Sequence, residues 1–209
     1  MKDPLKQAVI DGNMDTALAL TQALIASGVP AREVLDDALL PGMEGVGERM
    51  REAEIFIPEV LLSARVMQAC LDLLRPHMAA GEEAGMGCVV IGTVEGDLHD
   101  IGKNLVGMML QGAGFEVVNL GTGVTSEQFI AAGREHQPQI IGMSALLTTT
   151  LPHMGETIAA LKEAGLREQG KVMVGGAPVT QAWADEVGAD GYGANAGMAV
   201  ERAKALAAG

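Results

Sequence analysis

Cys88-Val89-Val90-Ile91-Gly92, followed by Gly96-Asp97-Leu98-His99-Asp100-Ile101-Gly102-Lys103-Asn104, is the stretch that decides the fold. The first five residues form a short apolar run with the β-branched content of a buried strand. A glycine-bounded polar loop follows, and from Gly102 onward apolar residues recur at helical spacing. Strand, polar loop and helix in that order are the first half of a βαβ unit. The loop carries a histidine flanked by two aspartates. A carboxylate beside an imidazole can hold one ring N–H and leave the other nitrogen basic and aimed, which makes His99 a candidate metal ligand.

The alternation continues to the C-terminus. Strands are expected near 88–92, 116–120, 139–144, 171–174 and 190–192, and helices near 102–113, 125–136, 152–164, 180–187 and 195–207. Five βα units predict an α/β domain with a flavodoxin/Rossmann-like, five-stranded parallel sheet flanked by helices. Sites in such sheets lie at the carboxyl ends of the strands. The unusual loops Gly96–Gly102, Ser144–Leu151 and Gly175-Gly176-Ala177-Pro178 all fall there.

Residues 1 to about 80 have a different texture and read as helix. Ala17, Leu18, Leu20, Leu24 and Ile25 share helical spacing, and Gly28-Val29-Pro30 supplies a stop. A second helix is expected over 31–40, ending near Pro41-Gly42, and a third with Met43, Val46 and Met50 on one face. A fourth runs from Pro58 to Pro76. Short connections predict a four-helix bundle, residues 1–80, set before an α/β domain, residues 86–209. The small and acidic residues of 79–85 read as the linker and as a hinge that lets the helical part move.

With 209 residues, 48% of them hydrophobic, the chain is globular rather than disordered. A net charge of −13 and 2% aromatics argue against nucleic-acid binding. No apolar run approaches the roughly 20 residues of a spanning helix, so no membrane association is expected. Met1-Lys2-Asp3-Pro4 has no charged-then-apolar leader, and Cys70 and Cys88 read as small buried hydrophobes of a reducing cytoplasm.

Gly102-Lys103-Asn104 suggests a phosphate loop, but five residues rather than four separate Gly96 from Gly102, and Asn104 stands where Ser or Thr must meet magnesium. His77, His136 and His153 lie in other segments without ligand spacing, so a zinc or iron site is short of ligands. One protein histidine suffices when the metal arrives already held by a macrocycle. Ser144-Ala145-Leu146-Leu147-Thr148-Thr149-Thr150 offers four hydroxyls at the sheet mouth, although a strand exit that caps a helix would look the same. Gly175-Gly176 is a tight turn, or a place where a bulky ligand meets backbone. Met43, Met50 and Met67 suit a core.

Taken together, Asp97-Leu98-His99-Asp100-Ile101-Gly102, Ser144-Ala145-Leu146 and Gly175-Gly176 resemble the cobalamin-binding signature (Asp-x-His-x-x-Gly, Ser-x-Leu, Gly-Gly). Ile55-Phe56-Ile57-Pro58-Glu59-Val60-Leu61-Leu62-Ser63-Ala64-Arg65-Val66-Met67 is similar to the cap region of cobalamin-dependent methionine synthase. In length and layout the whole chain resembles the small corrinoid proteins of methanogens and acetogens.

The resemblance implies a cobalamin or related corrinoid cofactor, cycling between methylcob(III)alamin and cob(I)alamin. His99 would be the lower axial ligand of cobalt, displacing the cofactor's own base (base-off, His-on). Asp97 would hold the His99 N–H and Thr150 would bond Asp97. The displaced nucleotide tail would insert past Gly102, along Ser144, Leu146, Gly175 and Gly176, with Asp100, Ile101 and Thr148 beside it. Tyr192-Gly193-Ala194-Asn195-Ala196 resembles a segment lining the tail pocket. Met50, Ile57 and Val60 would cover the upper face of the corrin.

The function implied is methyl carriage on cobalt from a substrate-specific corrinoid methyltransferase (methylamine, methanol, betaine or methoxyaromatic donor) to a second methyltransferase with a tetrahydrofolate or thiol acceptor. A reductive activase would restore oxidised cobalt. Methylation would recruit His99, because methyl-Co(III) prefers six ligands, and demethylation to four-coordinate Co(I) would release it; a protonated imidazole cannot ligate cobalt, so proton uptake would be linked to that release. Alternatives are an adenosylcobalamin sensor, which needs a DNA-binding module for which length and charge leave no room, and a mutase subunit, disfavoured by the large helical part. A cobalt-free flavodoxin-like module would stay colourless after corrinoid reconstitution.

Overall fold

The computed structural model describes residues 1–78 and 85–208, so the expected linker lies, apart from Gly85, outside the described residues. The chain forms two compact units. One is Met1–Met86 with Gln111–Phe115, the other Gly87–Leu110 with Glu116–Gly209.

The first unit is helical: α1 (Lys2–Ile10), α2 (Met14–Ala26), α3 (Ala31–Val34), a π-helical turn (Leu35–Leu39), α4 (Leu40–Arg51), α5 (Ile57–Leu74) and a 3-10 turn (Arg75–His77). Four rods result, divided differently from the sequence expectation. The helix expected before Gly28 is broken at Gly12, which takes φ +65°, and restarts at Asn13, whose Oδ1 accepts the Thr16 N–H at 3.1 Å. The stop expected at Pro41-Gly42 does not occur. Pro41 has no N–H for the carbonyl four residues back, and the π-turn ahead of it absorbs the mismatch, with Leu40 N–H bonding Leu35 O. Gly42 and Gly45 serve packing instead. A Cβ on Gly42 would lie 2.9 Å from Val9 Cβ, and one on Gly45 would lie 3.0 Å from Ile10 Cδ1, so glycine lets α1 approach α4 closely. Glu59 accepts the Phe56 N–H at 3.1 Å and starts α5 ahead of Pro58. Cys70 is buried in α5, whereas Cys88 is only half-buried, and the two are not joined in a disulfide.

The second unit runs β1 (Cys88–Thr93), α6 (Ile101–Gly112), β2 (Glu116–Asn119), α7 (Ser126–His136), β3 (Ile140–Ser144), α8 (Pro152–Glu163), β4 (Lys171–Gly175), α9 (Gln181–Val187), β5 (Gly191–Gly193) and α10 (Ala196–Ala207). These elements agree closely with the expected ones. All strands are parallel, in the order β2-β1-β3-β4-β5. The order reverses between β1 and β3, so the loops after those two strands open a crevice at the switch point. One sheet face carries Val90, Ile141 and Val172 into a core with Phe129, Met154 and Leu161 of α7 and α8. The other carries Val89, Ile91, Ile140 and Met173, which line a cleft under α6 and α10. No helix among the described residues is long and apolar enough to cross a membrane.

Candidate functional site

The site begins with Asp97, which is fully buried although it sits in a loop. Gly96, at φ +78°, makes the turn that drives it inward. Its Oδ1 accepts the His99 backbone N–H at 3.1 Å and lies 2.7 Å from His99 Nδ1. Its Oδ2 accepts the N–H groups of Leu146 at 2.7 Å and Leu147 at 3.1 Å, and the Thr150 hydroxyl at 2.9 Å. Burial alone would push this carboxyl up. The N–H groups of Leu146 and His99, the His99 ring and the Leu147 N–H outweigh it and hold the group well below the usual carboxylate range. An ionised carboxylate only accepts, so the Nδ1 that faces it carries a proton, and Nε2 is the ring nitrogen left for a ligand.

The His99 side chain is 52% exposed. Thr93, fully buried at the end of β1, donates its hydroxyl to His99 O at 2.9 Å and fixes the loop from below. Apolar side chains that share the cleft lining with His99 are left open to water: Leu98 is 78% exposed, Ile101 87% and Leu146 43%. The Thr150 hydroxyl lies 2.9 Å from both Asp97 Oδ2 and Leu147 O, so its one proton serves either acceptor.

Beside this histidine opens a cleft of about 610 Å³. Of the residues expected to bind a cofactor, His99, Asp100, Ile101, Gly102, Ser144, Leu146, Gly175 and Gly176 line it. Asp97 and Thr150 lie behind His99 rather than in the cleft. Thr148 is exposed and does not line it, so only Ser144 of the four expected hydroxyls is offered to a ligand there. Asn195 lines the mouth, and its Oδ1 accepts the Met198 N–H at 2.9 Å to cap α10. In the helical unit, Met50 is half-buried at the end of α4, Ile57 exposed at the start of α5, and Val60 buried one turn on.

Two features escaped the sequence. Thr93 could have been found as the hydroxyl that ends the aliphatic run of β1. Lys103, expected only to begin a helix, is buried. Its Nζ bonds Asn104 Oδ1 at 2.7 Å and Asn119 Oδ1 at 2.6 Å, and Asn104 Nδ2 reaches Asp100 Oδ2 at 2.9 Å. The network ties the residue after His99 to α6 and to the end of β2. Burial lowers the Lys103 ammonium, with Asp100 opposing.

The cleft glycines play two different parts. A Cβ on Gly102 would meet nothing within 4 Å, leaving open space beside His99. Gly176, at φ +129°, presses so close to Ala145 that a Cβ would lie 1.8 Å from Ala145 O. Among the described residues no three His, Cys, Asp or Glu side chains group to hold a bare metal ion. Such a donor set suits a metal already enclosed in a macrocycle. Residues 87–201 match the B12 binding domain family, and residues 1–75 match a second family, also described as B12 binding domain.

The chain belongs to the B12-binding corrinoid proteins. It is 44% identical over 207 residues to a corrinoid protein of Desulfitobacterium hafniense, covering 98% of this chain and 96% of that one. It is 46% identical over 206 residues to dimethylamine corrinoid protein 1 of Methanosarcina mazei, covering 98% and 95%. Among solved structures it is similar to the methanol:cobalamin methyltransferase complex MtaBC of Methanosarcina barkeri, with a TM-score of 0.84 and 34% identity over 99% of this chain and 79% of that one. The cofactor of this corrinoid protein is cobalamin or a related corrinoid.

Proposed function

We propose that this corrinoid protein is a methyl carrier, that His99 Nε2 is the lower ligand of cobalt, and that the cofactor's own base is displaced into the cleft. The observation that carries this reading is the half-exposed His99 ring, its Nδ1 2.7 Å from buried Asp97, in a cleft that it lines together with exposed Leu98, Ile101 and Leu146. When bound, the corrinoid supplies a cobalt centre that takes up and gives away a methyl group. The chain's residues do the rest. Asp97 fixes the tautomer and direction of the imidazole, Thr150 and the Leu146 and Leu147 N–H groups hold Asp97 ionised, and Thr93 holds the loop. Gly102, Ser144, Gly175 and Gly176 make room for the tail, with Asp100 and Ile101 at its entry. Thr148 lies at the rim, outside the cleft lining. Met50, Ile57 and Val60, in a cap of residues 1–80, would keep water from the corrinoid, and residues 86–209 would hold it.

The donor side of the reaction is a methylated amine bound by a separate, substrate-specific corrinoid methyltransferase. The 46% identity to a dimethylamine corrinoid protein supports the amine donor, and the likeness to MtaBC, a methanol:cobalamin methyltransferase complex, supports a separate methyltransferase partner. A second methyltransferase with a tetrahydrofolate or thiol acceptor takes the methyl group, a reductive activase restores oxidised cobalt, and the system works in the cytoplasm.

His99→Ala tests the assignment. The variant, loaded with cobalamin, is expected to keep part of the corrinoid through gel filtration by its tail contacts and to lose the protein-nitrogen coupling in the Co(II) EPR spectrum. Unchanged nitrogen coupling overturns the role of His99.

A further inference from the structure

Resting on the corrinoid reading above, the layering of the cleft says which kind of lower base it accepts. The strand register stacks its floor in three tiers. Ser144, Gly175 and Gly193 are in register at the carboxyl ends, level with Thr93, which is buried outside the lining; Ile91, Gly142 and Met173 follow; Val89 and Ile140 lie deepest. The roof descends in parallel, from Ile101 to Leu110 along α6 and from Ala196 to Ala203 along α10. Every lining side chain that can form a strong hydrogen bond (His99, Asp100, Lys103, Ser144, Asn195) belongs to the upper tier or to the first turn of a helix. Below it, the only side-chain heteroatom is methionine sulfur, a weak acceptor. The backbone offers nothing more, because β1, β3 and β4 are each paired on both sides and α6 and α10 bond internally. Gly142 leaves a shallow notch between Ile91 and Met173, and deep Ala203 is fully buried.

We infer that the deep end of the cleft is a flat, apolar slot that selects corrinoids whose lower base is a benzimidazole over those whose lower base is a purine. A benzimidazole carrying methyl groups fills such a slot with carbon and gives up little to water. An adenine base brings an exocyclic amine and extra ring nitrogens that leave their water partners and find none. An apolar pocket discriminates against an added polar group by roughly tenfold to a hundredfold.

The test compares three corrinoids on the full-length apo protein by calorimetry: cobalamin, its adenine-tailed counterpart, and cobinamide, which has no nucleotide tail. All are offered as dicyano forms, so that each base starts detached from cobalt and histidine ligation does not contribute. Cobalamin is expected to bind about tenfold or more tightly than the adenine-tailed form. Equal affinities, or tighter binding of the adenine form, would overturn the inference. Met173→Gln adds an amide of similar length to the slot and should narrow the ratio within one protein, whatever its effect on stability; an unchanged ratio counts against the slot. Failure of all three corrinoids to bind would instead overturn the corrinoid reading itself.

Discussion

At the scale of single residues, the site rests on one carboxylate that a loop would ordinarily leave in water. Asp97 trades solvent for two bonds on Oδ1 and three on Oδ2, and each hydrogen bond to a charged group contributes about 1.5–3 kcal/mol. Asp97→Asn turns an amide N–H₂ toward donors. It should therefore destabilise the apo protein by about 2 kcal/mol or more in urea unfolding. Thr150→Ala removes one donor while Leu146 and Leu147 remain, and should cost about 1 kcal/mol. Lys103 gives a pH test. Its folded-state value is lowered, so between that value and the unfolded one the unfolded chain binds more protons and stability rises with pH. Raising the pH from 7 toward 10 relieves the burial cost, so the native protein should gain stability relative to Lys103→Met over that range. Parallel melting curves for the two proteins across it would contradict this.

At the scale of elements, glycine separates folding from binding. Gly176→Ala places a Cβ against Ala145 O at φ +129°, and should destabilise the apo protein by at least about 2 kcal/mol. Gly102 occupies open space in the first turn of α6. Gly102→Val should change apo stability by less than about 1 kcal/mol, yet weaken cobalamin binding by roughly tenfold or more in a titration, because the branch enters the cleft. The α/β elements were legible because strand and helix periods differ and the loops after β1, β2 and β4 carry glycines that mark the strand ends. The helical part was less so. Pro41-Gly42 has the composition of a stop, and only the π-turn before it and Val9 packed on Gly42 make it a continuation. The Asp97–His99–Thr150 arrangement was legible as a resemblance. The Leu146 and Leu147 N–H groups were not, since backbone donors have no residue type, and the Lys103 network depends on Asn119, which only β2 brings near.

At the scale of the whole molecule, chemistry and specificity are divided. In the proposed cycle the chain offers cobalt one imidazole and a cleft for the tail, and leaves donor recognition to a separate methyltransferase. Loaded and reduced, the protein alone should not demethylate dimethylamine, and should do so when a donor-specific methyltransferase is added; turnover by the carrier alone would contradict this division. The assembly of the site depends on the switch point, where the loops after β1 and β3 meet, so Asp97 from one is held by N–H groups from the other.

The most direct test of the central claim is the Co(II) EPR spectrum of the cobalamin-loaded protein made with unlabelled and with ¹⁵N-labelled histidine. Ligation by His99 predicts that the nitrogen splitting changes from a triplet to a doublet on labelling, and that His99→Ala abolishes the labelled pattern. A splitting indifferent to the label would mean that the cofactor's own base still holds the cobalt, and would contradict the account.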